Sequence, residues 1–527
     1  MTKAVEVAKT SVKGGFQYLW GLVASTVISA VGTFVVAGLL GEANYGLYSI
    51  AMAAPALIAL FRDWGVNTAI TRYVAQYNVE NKTSEIRRVF TSGLVFETTL
   101  GILLSLVCFV LSDFLAVSVF QRPVMAPLIQ IVSLTILTQG LINTATAVFV
   151  GIERTHLNSI MLVAQSVSKT VLAPALILFG LSTLGATLAY TAASVIAGLT
   201  GVLMIWMVHR SLRDSGDGKV GIWESTKVMV KYGLPLSIGA ILGGLLLQYY
   251  TFLMAIYVPD NVVIGNYAIA QHFVVLITFF SLPVVTMLLP AFSKLDAKKD
   301  HETLQNVFQY SVKYASLLVV PFAIMVMAVA QPAISTLFGG SYVQAPLFLA
   351  LLALSYVFTV LGGLSNGNLI NSQGQTGFNL VLSVITTVVG FLVGFVLIST
   401  LGVLGLIVTS LVAGVPSLLA SLVYVKRRYN VSIDWRSSGK ILLCSVVAAV
   451  LTYLVAGQVS LLSSLMRLII GVVVFAVAFV FAVVLTRTLD GTDVVNLRAM
   501  SGSLGPLRRI LDFVLELFEK LMMKFRF

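Results

Sequence analysis

Charge is scarce in this chain: 10% of its 527 residues are Asp, Glu, Lys or Arg, against about a quarter in an ordinary soluble domain. That shortage, with 58% hydrophobic residues and a mean hydropathy of +0.98, excludes a water-soluble globular fold and predicts a polytopic membrane protein. Period-two alternation is also lacking. The apolar runs continue for roughly 20 residues or more, which points to spanning helices rather than a barrel. The only two cysteines, Cys108 and Cys444, fall inside apolar runs, so there is neither a disulfide framework nor a Cys-x-x-Cys metal site. No Gly-x-x-x-x-Gly-Lys loop occurs and no loop has room for a nucleotide-binding domain, so ATP is not expected to drive the protein directly. Also missing are a His/Cys cluster with metal spacing, a Gly-x-Ser-x-Gly turn and an acidic pair on an outer loop. The expectation is therefore a protein that is not an enzyme and has no metal or catalytic residues. No small-residue cleavage site follows Lys3, Lys9 and Lys13, and the run from Phe16 to Leu40 reads as a first span rather than a signal peptide.

What is present is organised by duplication. Gly46-Leu47-Tyr48-Ser49-Ile50-Ala51 returns as Gly265-Asn266-Tyr267-Ala268-Ile269-Ala270, an offset of 219. Leu184-Gly185-Ala186 matches Leu404-Gly405-Leu406 at 220, and Thr155 with Asn158 matches Thr376 with Asn379 at 221. Matches at nearly constant offset read as two copies of one unit, 15–208 and 232–425. Apolar runs place fourteen spans at 16–40, 45–61, 90–112, 126–150, 157–180, 182–208, 233–257, 262–290, 312–336, 344–365, 378–400, 402–425, 440–457 and 463–486. The predicted fold is thus an all-α polytopic membrane protein of 14 transmembrane helices: two six-helix lobes related by pseudo-two-fold symmetry, plus two extra C-terminal helices. The domains follow as a lobe at 1–208, a cytoplasmic linker at 209–231, a second lobe at 232–425, the last two spans at 426–487 and a cytoplasmic tail at 488–527. All but Arg122, Arg467 and Lys169 of the 33 Lys and Arg lie at the N-terminus, at or near loops after even-numbered spans, or in the tail. The positive-inside rule then puts both termini in the cytoplasm of a cell (plasma) membrane protein. Topology and anionic lipid account for the net charge of +12 without nucleic acid. The tail carries Leu507, Ile510, Leu511, Val514, Leu517, Phe518, Leu521 and Met522 on one helical face, predicting an amphipathic helix along the inner leaflet or against a partner helix.

Two charges stand well inside spans. A charge at mid-bilayer costs roughly 2.5 to 3.5 kcal/mol, so such residues face a cavity or each other. At about 1.5 Å per residue, Glu97 lies roughly 10 Å deep in the third span and Lys169 about 18 Å deep in the fifth. They are either a structural pair or a site, and the sequence leaves both readings open. At the repeat offset Glu97 maps to Ser316 and Lys169 to Val389, so an anion site would be built mainly by the first six helices. Arg62 stands close enough to the end of the second span to reach a cavity mouth, while Arg72 reads as an interfacial anchor. Gln139, Gln165, Gln248 and Asn143 are either helix-to-helix hydrogen bonds worth about 0.6 kcal/mol each or donors facing a sugar. Gln271 and His272 of the eighth span map to Met52 and Ala53; His272 is either a satisfied hydrogen-bonded residue or a proton carrier. The uncharged stretch Asn366 to Gln375 reads as a solvated turn.

A long first helix containing Ser and Thr, Leu40-Gly41 with Tyr45-Gly46-Leu47-Tyr48, Asp63-Trp64-Gly65 and Thr71-Arg72-Tyr73-Val74-Ala75 resemble the opening of the oligosaccharide and polysaccharide flippases of the multidrug/oligosaccharidyl-lipid/polysaccharide exporter superfamily. Gly151-Ile152-Glu153-Arg154 is similar to that family's inner loops. The resemblance implies two lobes that alternate between inward-open and outward-open states and carry a lipid-linked oligosaccharide, held by its phosphate or pyrophosphate, from the inner to the outer leaflet for cell-surface glycan assembly. It also implies a cationic cavity, a role that could fall to Lys169 with Arg62. The partners expected with it are membrane lipids and glycosyltransferases of the same pathway. No cofactor is expected beyond a coupling H+ or Na+. Rival readings are a cation-coupled multidrug exporter, a lipid II flippase and, from another class, a membrane glycosyltransferase or polymerase. The topology makes a direct prediction. In a background lacking Cys108 and Cys444, a cysteine at Ser215 stays unlabelled when a membrane-impermeant maleimide is added to intact cells, and labelling from outside would overturn the orientation.

Overall fold

The computed structural model describes residues 3–211, 221–295, 299–458, 462–501, 516 and 520. Ser215 lies outside them, as does the expected amphipathic helix at 507–525 apart from residues 516 and 520. Among the described residues every regular element is helical. The α-helices of the first part are α1 (Lys3–Ala51), α2 (Ala53–Ala59), α3 (Val66–Val79), α4 (Thr83–Asp113), α5 (Ala126–Gly151), α6 (Thr155–Leu176), α7 (Ser182–Ser211), α8 (Ile222–Tyr257) and α9 (Asn261–Ser293), with short π and 3-10 pieces between some of them. There follow α10 (His301–Ala328), α11 (Ala330–Phe338), α12 (Ala345–Ala353), α13 (Asn366–Ser372), α14 (Thr376–Val412), α15 (Val415–Tyr429), α16 (Trp435–Gln458), α17 (Ser464–Leu485) and α18 (Gly491–Ser501). Nine helical stretches among the described residues are long and apolar enough to cross a membrane, or ten if the pair Ala345–Leu361 and Asn366–Ser372, bent by 50°, is one span. Three of those stretches contain non-helical residues, at Gly41 (φ 70°), Gly180 (φ 90°) and Gly402 (φ 59°), each at a junction between expected spans. Gly41 shows the reason. A positive φ is open to glycine without the Cβ clash that other residues meet there, so the chain can break between two apolar runs.

Packing divides the chain into two compact units, Met1–Ile269 with Val389–Leu406, and Ala270–Val388 with Ile407–Phe527. In the first, α6 packs on α1 and α7, α5 on α4 and α7, and α3 on α4, α5 and α8. Polar side chains bridge these helices: Ser105 Oγ donates to Ser133 O at 2.8 Å, the Thr138 and Ser194 hydroxyls are 2.6 Å apart, and Thr170 Oγ1 donates to Ile28 O at 3.0 Å. The opposite faces are apolar and exposed. Val27, Val31, Val35 and Leu39 recur every four residues along α1 and all face outward, a stripe that needs an apolar surround.

In the second unit α10 packs on α12, α16 and the 3-10 segment Leu354–Leu361, while α17 packs on α11 and α16. Asp493, at the start of α18, is 1% exposed and accepts from Lys313 Nζ at 2.5 Å and Tyr314 OH at 3.0 Å, which ties the segment after the last span to α10. The stretch from Asn366 to Gln375 is not a solvated turn. Residues 366–372 form α13, with Asn366, Leu369 and Ile370 buried. Leu369 and Ile370 join a core of Phe292, Phe308 and Val425, and Asn366 Nδ2 donates to Ser421 Oγ at 3.0 Å. Two apolar side chains one residue apart on a short helix outweigh the surrounding amides.

The duplication has physical counterparts. Thr146 Oγ1 donates to Asn158 Oδ1 at 2.9 Å in the first unit, and Asn379 Nδ2 donates to the carbonyl of Gly367 at 3.3 Å in the second; both pairs sit 221 residues apart. Within the first unit, a Cβ on Gly46 would collide with the carbonyl of Asn261, and one on Gly265 would collide with the carbonyl of Glu42. Asn261 and Gly265 are the repeat equivalents of Glu42 and Gly46, so the contact is reciprocal, as between elements related by a two-fold axis. Asn266 Nδ2 donates to Glu42 Oε2 at 2.7 Å beside this crossing. The crossing predicts that Gly46→Ala destabilises the protein by about 1–3 kcal/mol, because neither backbone can yield to the new methyl. Gly38→Ala, whose Cβ meets nothing within 4 Å, is expected to be neutral or slightly stabilising. Thermal unfolding of the purified protein in detergent separates the two; equal midpoints would sink the argument.

Candidate functional site

Arg62 follows α2 in a tight turn, in which the amides of Phe61 and Arg62 reach the carbonyls three residues back at 3.1 Å. Gly65 N then donates to Asp63 Oδ1 at 2.9 Å, an Asx turn that redirects the chain into α3. This geometry sends the Arg62 side chain inward. Its Nε donates to Glu97 Oε2 at 2.9 Å and its Nη1 to the carbonyl of Ile136 at 2.9 Å. Asn67 Nδ2 donates to Glu97 Oε1 at 2.8 Å, and Thr144 Oγ1 donates to Asn67 Oδ1 at 3.2 Å. Arg62 is 3% exposed and Glu97 fully buried. The space comes from Gly140, where a Cβ would stand 2.9 Å from Glu97 Oε2 and 3.1 Å from Arg62 Cδ. Both carboxylate oxygens are therefore satisfied and the net charge is zero, so this cluster braces α2, α3, α4 and α5 and offers nothing to an anion.

Two expectations change here. Arg62 is buried instead of standing at a cavity mouth, and it, not Lys169, is the partner of Glu97. The reason is packing: α4 lies against α5 and α3, whereas α6, which carries Lys169, lies against α1 and α7. Depth along a helix says nothing about which helix is its neighbour.

Lys169 instead lines a cavity of about 180 Å³ with Ser29, Gln165, Ser166, Tyr190 and Ala193. Its Nζ makes a long 3.5 Å contact with Thr33 Oγ1 and stands 5.7 Å from the centre of the Tyr190 ring. Ser29 Oγ donates to Ser166 Oγ at 3.0 Å, closing one wall. Among the described residues no carboxylate lies within ion-pair distance of Lys169. The site thus pairs one uncompensated cation with neutral hydroxyl and amide groups, the composition that receives an anion. Gln165, Ser166 and Lys169 share a face of α6 by their spacing, as do Ser29 and Thr33 on α1, so periodicity could have found them. Tyr190, from α7, carried no signal in the sequence.

The other candidates do not line this cavity. Gln139 Nε2 donates to Asn143 Oδ1 at 3.4 Å within α5, as a local bond. Gln248 is half-buried on α8, and Gln271 and His272 are exposed on α9 within the second unit. Arg72 lies 4.2 Å over the Tyr232 ring, a cation–π contact. Among the described residues no group of three or more His, Cys, Asp or Glu could hold a metal ion.

A family model described as polysaccharide biosynthesis protein matches residues 11–296, more than half of the chain and all of the Lys169 cavity. The chain belongs to that family. A second model, described as lipid II flippase MurJ, matches residues 264–481. A curated relative, the probable low-salt glycan biosynthesis flippase Agl15 of Haloferax volcanii, is 24% identical over 221 residues, 40% of this chain and 44% of the relative. The chain thus matches less than half the length of that relative. In fold, the chain is similar to the lipid II flippase MurJ in an inward closed conformation (TM-score 0.69, 14% identity, 88% of this chain and 98% of that one). It is also similar to a multidrug resistance MATE family transporter of the MOP superfamily in an inward-facing conformation (TM-score 0.62, 16% identity, 78% of this chain and 98% of that one). At these identities the likeness is one of fold.

The Arg62–Glu97 cluster generates a stability prediction. Removing one partner, as in Arg62→Leu or Glu97→Leu, leaves a buried charge unpaired and is expected to cost about 3–5 kcal/mol, while the double Leu variant recovers most of that loss. Unfolding midpoints of the three variants decide it; a double variant as unstable as the sum of the singles would contradict the reading.

Proposed function

We propose that this chain is a flippase that moves a lipid-linked oligosaccharide from the inner to the outer leaflet of the cell membrane by alternating access. The observation that carries the proposal is Lys169: an unpaired cation in a polar cavity, inside the region matched by the polysaccharide family model. The phosphate of a carrier lipid needs such a positive partner where the dielectric is low. Binding through one lysine and neutral donors stays weak enough for release. The same cation argues against an exporter of amphipathic cations, which it would repel. The lipid II flippase remains the second reading, favoured by the match of residues 264–481 and by the fold. In this proposal H+ or Na+ is the coupling ion, since the sequence holds no ATP-binding loop, and the partners are carrier lipid, bilayer lipid and the glycosyltransferases that build the substrate.

The test is transport in reconstituted vesicles, scored as substrate reaching the outer leaflet. A hydrogen bond to a charged group contributes about 1.5–3 kcal/mol, so Lys169→Gln is expected to slow flipping about tenfold or more with protein level and unfolding midpoint unchanged. Lys169→Arg is expected to retain more activity. Full activity in Lys169→Gln would remove this residue from the transport site.

A further inference from the structure

We infer that the Lys169 cavity is matched to a single phosphate, so that the carrier lipid of this protein is joined to its glycan by a phosphodiester and not by a pyrophosphate. The inference deepens the flippase reading and rests on it for the identity of the ligand.

Charge matching is the first ground. A phosphodiester carries one negative charge at neutral pH and a pyrophosphate diester two. The cavity offers one positive charge, with no carboxylate paired to it. Arg62, the buried cation of the same unit, is already neutralised by Glu97 at 2.9 Å. A second phosphate would bring a charge for which the cavity holds no counter-ion, and an unpaired charge is what a low-dielectric site rejects most strongly.

The donors are the second ground. Among the described residues neither Gln165 nor Tyr190 makes a side-chain hydrogen bond, and the Ser29 hydroxyl donates to Ser166, which leaves the Ser166 proton free to turn into the cavity. One ammonium, one amide and two hydroxyls suit the oxygens of one phosphate group. Size is the third. About 180 Å³ falls below the roughly 300–1,000 Å³ of pockets that enclose a whole drug-sized ligand, so the cavity takes a headgroup fragment while glycan and lipid extend beyond it.

Two probes with the same short isoprenoid tail and the same single hexose, one linked by a phosphodiester and one by a pyrophosphate, test this on the purified full-length protein by titration. The phosphodiester is expected to bind about tenfold more tightly or better. Lys169→Gln is expected to abolish that preference, and Gln165→Lys, which adds a second cation, to move it toward the pyrophosphate, with unfolding midpoints confirming that each variant is folded. Equal or tighter pyrophosphate binding by the wild type would overturn the inference, as would a preference that survives Lys169→Gln or saturable binding of neither probe. Phosphatidylglycerol competing as well as the isoprenoid phosphodiester would mark a site for bulk anionic lipid and overturn the carrier assignment. A phosphodiester preference in binding with no flipping of either probe in vesicles supports the inference and sinks the flippase reading, so the two fail separately.

Discussion

Hydrocarbon charges any ionised side chain at its centre about 2.5–3.5 kcal/mol, and the interior of the first unit meets that constraint in two different ways. Glu97 is surrounded: Arg62 and Asn67 satisfy both its oxygens, Thr144 holds Asn67, and Gly140 leaves the room. Lys169 is left with a distant hydroxyl, an aromatic ring and a cavity. A buried charge that is neutralised contributes to architecture. Lys169 is half-buried, and a charge held there without a counter-ion has its unfavourable environment relieved when a ligand of opposite sign arrives, which is how a binding site differs from a brace made of the same residue types.

Backbone approach supplies the rest of the framework. Hydrophobic burial does little to drive helices together in lipid, so small residues and polar bridges take its place. The hydroxyl bridges between α4 and α5, α5 and α7, and α6 and α1 follow that rule. So does the reciprocal crossing of Gly46 and Gly265, where each backbone fills the volume in which the other would carry a side chain. This crossing lies at the most recognisable repeat in the sequence, because only glycine allows the approach from both sides.

Features that depend on one dimension were legible in the sequence. The apolar runs marked the chain as helical and membrane-spanning, though nine or ten separate apolar stretches stand out among the described residues against fourteen expected spans, and the non-helical residues Gly41, Gly180 and Gly402 fall at the expected junctions. Lys169 was recognised as a singular cation because its insertion cost can be read without a fold. Features that depend on neighbours were not legible. The partner of Glu97 comes from a turn 35 residues away, and nothing in helical depth distinguishes it from a lysine on a helix that packs elsewhere. Tyr190 entered the cavity from a third helix with no periodic signal. The stretch from Asn366 to Gln375 misled because its amides are numerous, whereas Leu369 and Ile370 decide its burial.

The duplication shows which of these features travel together. At the offset of 219, Arg62 corresponds to Ser281, Glu97 to Ser316 and Gly140 to Thr359, all three buried in the second unit. Both charges are absent, and a side chain occupies the place where glycine makes room for them. Losing one member alone would leave an unpaired ion in the interior, so the pair and its space are expected to be kept or replaced as a set. Lys169 obeys a different rule. Its counterpart at 220 is Val389, and no acid had to be exchanged with it, because none was paired to it. The scaffold contacts, Asn158 with Thr146 and Asn379 with Gly367, persist in both copies. The unpaired cation occurs in one copy alone, so the symmetry of the frame does not extend to the site that receives the anion.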